Sequence, residues 1–242
     1  AQQLCREAII WQYLAHQNIL PFLGVECDLY PNQWCLVSLW MDNKDIVRYL
    51  RGRQPPADIH VLYEVAQGLA YLHWENLVHG DLKGMNILID EHHHVRLADF
   101  GLSTFAETTR GANATTSSGP RGSMPFMAPE LHNPTKFGFD HFQRTRSTDI
   151  YAFGCVCYEI YTGYSPWYKE LGNNEGAIIN AVMNGMQPSR PSPDECSGKR
   201  IDDELWKLMQ RCWAPYYDRP DIRTIAHIFA RKQQPMVRSL LL

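Results

Sequence analysis

The sequence predicts an α+β fold in which short strands are confined to the first hundred residues and long helices dominate the rest. Three observations point there. Apolar residues recur at helical spacing over 57–74, 201–213 and 222–230, and 148–161 is apolar nearly throughout. Short apolar or alternating runs bounded by turn residues occupy 19–25, 34–39, 86–90 and 94–98. Between these two regions, 103–123 is rich in Ser, Thr, Gly and Pro and too poor in apolar side chains to hold a packed element.

In order along the chain, residues 2–16 place Leu4, Ala8, Trp11 and Ala15 on one helical face, with Glu7 at its apolar edge. Strands are expected at 19–25 and 34–39, joined by a turn at Asp28, Tyr30, Pro31 and Asn32. The helix 57–74 carries Ile59, Leu62, Tyr63, Ala66, Leu69, Ala70 and Leu72 at 3.6 spacing, and Asp58 favours its positive end. Residues 86–90 and 94–98 alternate around a polar turn, as in a hairpin. His92, His93 and His94 in that turn are metal-ligand types, but no second ligand cluster is evident in sequence, so a solvated polar turn is expected. The helix 148–161 reads as the central buried one, with Cys155 and Cys157 on different faces as small core residues. The helices 201–213 and 222–230 are amphipathic and are separated by Tyr217-Asp218-Arg219-Pro220.

Bulk properties narrow the function. A chain of 242 residues with a formal charge of -3 and a pI near 6.4 gives no reason to expect nucleic acid or an anionic membrane as partner. The most apolar stretch, 150–161, is short and interrupted by Glu159, far from the roughly 20 apolar residues of a membrane span. Seven cysteines without Cys-x-x-Cys spacing suggest neither a disulfide framework nor a zinc ribbon, and a reducing, cytoplasmic setting is expected.

The chemistry-bearing residues cluster in three ordered motifs. The run His79-Gly80-Asp81-Leu82-Lys83-Gly84-Met85-Asn86-Ile87-Leu88 sets an Asp, a Lys and an Asn at fixed offsets between apolar runs; Asp99-Phe100-Gly101 follows thirteen residues after Asn86, and Ala128-Pro129-Glu130 comes later. Together these resemble the catalytic loop, magnesium-binding motif and substrate-lobe motif of protein kinases. The helix at 2–16 is similar to the family's C-helix, because Glu7 precedes His16-Gln17-Asn18-Ile19 by nine residues as the family's helix glutamate does. The form His-Gly-Asp-Leu-Lys-Gly-x-Asn-Ile-Leu-Ile is most similar to the tyrosine-kinase-like serine/threonine kinases abundant in fungi.

The resemblance implies a two-lobe fold, with 1–41 as a partial small lobe ending in a hinge and 42–242 as the large lobe. It implies transfer of the ATP γ-phosphate to a Ser or Thr hydroxyl of a protein substrate. In that reading Asp81 orients and deprotonates the hydroxyl, Lys83 contacts the transferred phosphate, and Asn86 and Asp99 supply hard oxygens for Mg²⁺. Leu39 and Met41 would meet the adenine edge with backbone groups; Asp45, Leu88 and Glu7 complete the nucleotide site. Ser123 is expected to bond Asp81 and Lys83, Asp149 to anchor the loop backbone, Arg219 to pair with Glu130, and His79 to stack with Phe100, Phe22 and Trp11. Residues 103–123 match the activation loop, with Thr115, Thr116, Ser117 and Ser118 as candidate phosphosites.

Two departures matter. Gly80 replaces the family's usual Arg, so loop phosphorylation is not expected to be the main switch, with Arg96, Arg110 and Arg121 as the cations that could take its place. The glycine-rich loop and strand lysine of the family do not precede Glu7. The resemblance therefore implies a domain without its first small-lobe strands, with an exposed strand edge open to a pairing partner, and leaves a pseudokinase acting as a binding or scaffolding module as the alternative.

Overall fold

The computed structural model describes residues 2–30, 33–50, 58–106, 123–196, 198 and 200–239. The candidate phosphosites at 115–118, together with Arg110 and Arg121, lie outside the described residues.

The chain opens with α1 (Gln2–Gln12), followed by the antiparallel pair β1 (Phe22–Glu26) and β2 (Cys35–Ser38). The expected helix to residue 16 stops at Gln12, where the bonds from Tyr13 N to Ile10 O and Leu14 N to Trp11 O tighten the last turn. Trp11, buried at this end, donates from Nε1 to Leu20 O at 2.6 Å and so fastens the helix to the following segment. Ile9, Tyr13, Leu23, Val25, Trp34 and Val37 remain exposed on this part of the molecule.

A short helix α2 (Ile46–Leu50) leads to α3 (Asp58–Trp74) and β3 (Leu77–Val78). The predicted hairpin is present as β4 (Ile87–Ile89) and β5 (Val95–Leu97), with Ile87 opposite Leu97 and Ile89 opposite Val95, all four buried. A two-residue strand β6 (Thr104–Phe105) pairs with β3. Residues 18–20 are sewn to β5 by Leu97 N to Asn18 O and Leu20 N to Leu97 O, both 2.9 Å.

The remaining helices are α4 (Pro129–His132), α5 (Arg146–Thr162), α6 (Tyr168–Leu171), α7 (Glu175–Met183), α8 (Asp203–Cys212) and α9 (Ile222–Ser239). As its composition predicts, α5 is the central one, buried from Thr148 to Thr162. Its start is a capping box: Thr145 Oγ1 accepts from Thr148 N at 3.2 Å and Thr148 Oγ1 accepts from Thr145 N at 3.0 Å, an arrangement that contributes about 0.5–2 kcal/mol at a helix start. Its end is set by Gly163, whose φ of 73° suits the left-handed cap that lets its N–H reach Glu159 O. α3 packs along α9, and α5 packs against α8. Phe153 and Phe229, both fully buried, meet at 6.0 Å between ring centroids in a T-shaped pair, and truncating such a core aromatic costs about 3–5 kcal/mol.

The seven cysteines form no disulfide with one another. Cys155 and Cys157 are core residues, and burial drives both thiols up, far from the reactive thiolate form. Among the described residues no helix is long and apolar enough to cross a membrane.

Candidate active site

The site is built on the segment between β3 and β4, residues 79–86, which is irregular and needs side-chain partners for its backbone. Asp149, in the first turn of α5 and 1% exposed, supplies them: His79 N bonds Oδ2 and Gly80 N bonds Oδ1, both at 2.9 Å, and His73 Nε2 meets Oδ2 at 2.9 Å. The expected anchoring of the loop by this carboxylate is therefore present. Further along, Gly84 N donates to Glu159 Oε2 at 2.8 Å, so α5 holds the loop at two levels.

The candidate side chains converge over this loop. Lys83 Nζ lies 2.7 Å from Asp81 Oδ2 and 2.8 Å from Ser123 Oγ. Asn86 Nδ2 donates to Asp81 O at 2.8 Å and to Asp81 Oδ2 at 3.2 Å. Ser123 thus meets Lys83, and its link to Asp81 runs through that ammonium. Because a single turn, Gly84–Asn86, separates the loop from β4, Asn86 sits at the mouth of the hairpin, and Ala98 N bonds Asn86 O at 2.9 Å across it. The residue after Ala98 is Asp99. Its φ of 65° lies in the left-handed region, which an Asp adopts at some cost and which is common at functional sites.

The donor set suits a hard divalent cation. Both side-chain hydrogen bonds described above for Asn86 use Nδ2, which leaves its amide oxygen to a cation alongside the exposed Asp99 carboxylate. Glu7 reaches this corner from α1. Its Oε2 lies 3.0 Å from the place a Cβ on Gly101 would take, and its carboxyl is held above the usual carboxylate range by burial first and by the Asp99 charge second.

Of the expected nucleotide residues, Met41 is buried, whereas Leu39 is half exposed and Trp40 is 81% exposed, so Trp40 is not a core residue. Met41 O is engaged by Lys44 N at 3.0 Å. Leu88 is half-buried and bridges Asp45 across the backbone. The Asp45 carboxylate bonds Arg48 N at 2.9 Å and pairs with Arg48 Nε at 3.3 Å, holding the start of α2.

The aromatic column is present. Trp11 meets Phe22 at 5.2 Å and Phe100 at 5.8 Å, and His79 meets Phe100 at 5.7 Å between ring centroids. His79 is fully buried and takes a packing place rather than an exposed, proton-transferring one. Behind α5, Arg219 and Glu130 form the expected buried pair: Nη1 to Oε1 at 2.5 Å and Nη2 to Oε2 at 2.9 Å, a parallel fork reinforced by Arg219 Nε to Ala214 O at 2.8 Å. A cavity of about 400 Å³ lined by His73, Ile150 and Arg219 contains none of Asp81, Asn86 or Asp99.

Two residues of the site were not foreseen. Arg144 lies beside Gly80, its Nε donating to Gly80 O at 2.9 Å, and its guanidinium faces the charges of Asp81 and Asp149. A guanidinium from elsewhere in the chain thus lies beside position 80. Arg96, one of the expected substitutes, is instead tied to Asp90 at 2.8 Å and to Gln17 O. Glu159, noted in sequence only as the charge interrupting an apolar helix, is buried under the loop, and burial pushes its carboxyl up to about 7.

The sequence profile of the family described as protein tyrosine and serine/threonine kinase matches residues 1–229. The chain belongs to this family, and its architecture is the α+β protein-kinase-like fold. It is 29% identical over 231 residues to the serine/threonine-protein kinase STY46 of Arabidopsis thaliana, covering 93% of this chain and 36% of that protein. It is 31% identical over 239 residues to human mitogen-activated protein kinase kinase kinase 10 (93% and 22%) and 36% identical over 201 residues to human receptor-interacting serine/threonine-protein kinase 3 (78% and 36%). The chain thus spans about a fifth to about a third of the length of these relatives. Kinases of this family use ATP and Mg²⁺ and act on proteins.

Proposed function

We propose that the protein is a serine/threonine protein kinase that passes the ATP γ-phosphate to a Ser or Thr hydroxyl of a protein substrate in cytoplasmic signal transduction. The observation that carries this reading is the cluster at the loop: one carboxylate, Asp81, is met at once by the Lys83 ammonium and the Asn86 amide, and Lys83 also reaches Ser123. Phosphoryl transfer asks for positioning and charge neutralisation, and this cluster offers both. Asp81 accepts the hydroxyl proton and aims its oxygen. Lys83 balances charge on the transferred group while holding Asp81 and Ser123 in place. Asn86 and Asp99 would hold Mg²⁺, which neutralises phosphate charge when bound.

Residues 1–41 would form the small-lobe part ending in the hinge, with Leu39 and Met41 toward the adenine, Asp45 and Leu88 beneath the nucleotide, and Glu7 facing Asp99. Residues 42–242 would form the large lobe. The exposed apolar side chains beside β1 and β2 support the reading that this sheet edge takes a pairing partner. The alternative of a non-catalytic scaffold is not favoured, because Asp81, Lys83, Asn86 and Asp99 are all present and the relatives carry kinase names.

The test is phosphorylation of a generic Ser/Thr peptide by the protein as its source cell produces it. Asp81→Asn keeps the shape and removes the base, and should lower the rate by roughly 10²–10⁴-fold without loss of folding. Full activity in Asp81→Asn would overturn the assignment.

A further inference from the structure

The turn between β4 and β5, expected to be a plain solvated one, hands a histidine to α3. Asp90 Oδ1 accepts from both His92 N and His94 N at 2.9 Å, and His93 takes φ 68° between them. This turn lays the His94 ring against His60 and Glu64, which sit four apart on one face of α3. His94 Nδ1 lies 2.6 Å and His60 Nε2 3.2 Å from the same oxygen, Glu64 Oε1. The two rings are 6.1 Å apart and inclined at 65°, and all three ligand atoms fall within 4.8 Å of one another.

The geometry points to a transition-metal site, of the kind that takes Zn²⁺, formed by His60 Nε2, Glu64 Oε1 and His94 Nδ1. Two imidazole nitrogens and one carboxylate oxygen are a zinc donor set. Tetrahedral bonds of about 2.0–2.1 Å set neighbouring ligand atoms about 3.3 Å apart. The His60 to Glu64 spacing already matches this, and the His94 to Glu64 spacing is a fraction of an ångström short of it.

The supporting contacts are those a ligand set needs. Glu64 is 7% exposed at its side chain, and Oε2 is pinned by Val95 N at 2.8 Å, which leaves Oε1 to the two imidazoles. His60 Nδ1 is met by the Gln233 amide at 3.1 Å, a group that holds the ring in orientation when its oxygen is turned to accept. Both imidazoles are half exposed, so the fourth position opens to solvent and takes water. Zn²⁺ takes neutral imidazoles and an ionised carboxylate as ligands, so its binding competes with protons. Such a site joins α3 to the turn of a hairpin whose open end carries Asn86 and Asp99. Its role would be to staple that hairpin to the helical core, outside the phosphotransfer chemistry. No local spacing marks it, because its two further ligands lie thirty or more residues before His94.

The test is calorimetric titration of metal-stripped protein with ZnCl₂ at neutral pH. One saturable site per chain is expected. His60→Ala and His94→Ala should each weaken it by more than about 10-fold, the scale that even outer-shell partners carry, while His92→Ala leaves it unchanged. The two histidine variants also separate this site from zinc held by free thiols. A second readout needs no variant: Zn²⁺ should slow amide exchange in 90–95. Absence of one-to-one binding, affinity unmoved in both histidine variants, or exchange of 90–95 unaffected by saturating Zn²⁺ would overturn the proposal.

Discussion

Arg144 closes over Gly80: a Cβ at position 80 would come within 2.6 Å of Arg144 Cδ and 2.8 Å of Leu102 O, and Gly80 holds φ +80°. No side chain fits there without displacing the arginine or the backbone beyond it. Gly80→Ala should therefore destabilise the fold by about 1–3 kcal/mol from the left-handed conformation, with a further contribution from the clash. Urea unfolding of Gly80→Ala, Arg144→Ala and the double variant forms a cycle. The double variant should lose less than the sum of the singles, whereas strict additivity would show that the contact carries no coupling.

Removing Arg219 leaves Glu130 buried and uncompensated, since the two are 1% and 3% exposed at their side chains. Arg219→Ala should cost about 3–5 kcal/mol of unfolding free energy. Thermal melting checks this, and a change under about 1 kcal/mol would mean that solvent reaches Glu130.

Glu159 makes stability depend on pH. Its carboxyl is raised from 4.5 to about 7, mainly by burial, with the Gly84 N–H pulling it partly back and Asp45 adding to the rise. The folded state therefore binds an extra proton between these values, so stability is full below about 4.5 and falls as pH rises through 7. The loss is on the order of 3 kcal/mol, because each tenfold change in proton affinity corresponds to about 1.4 kcal/mol. Glu159→Gln, whose amide oxygen can still accept from Gly84, should melt higher than the parent at pH 8, with the gap closing toward pH 5. A constant gap across that range would refute the burial assignment.

Asp99→Asn separates charge from conformation. Asn tolerates the left-handed region well, so folding should be preserved while Mg²⁺-dependent nucleotide binding weakens by about tenfold or more, about 1.4 kcal/mol. An unchanged Mg²⁺ titration would remove Asp99 from the metal-binding role.

The parts of this structure that were legible in sequence are those in which a local pattern and its outcome coincide. The 3.6 spacing of Ile59 to Leu72 and the apolar run after Thr148 gave α3 and α5 nearly to the residue, because burial of one face or of the whole helix is written in composition. Boundaries decided by tertiary contact were less visible. α1 ends early where Trp11 reaches Leu20, and α9 continues past Ala230 to Ser239. The candidate residues of the site follow from resemblance to the family, carried by the order and spacing of three motifs. Arg144 does not, because its place beside Gly80 depends on a chain reversal across 64 residues that no periodicity records.

The loop 79–86 takes its anchors at His79, Gly80 and Gly84 from Asp149 and Glu159, side chains of a helix whose body is the molecule's most deeply buried element. Opening the loop therefore breaks bonds to the core helix itself, and the amides of His79, Gly80 and Gly84 are expected to exchange near the rate of global unfolding. On heating, the arrangement around Asp81 should persist until the helical body melts and then vanish with it, so that an irregular stretch of chain behaves all-or-none like the core beneath it.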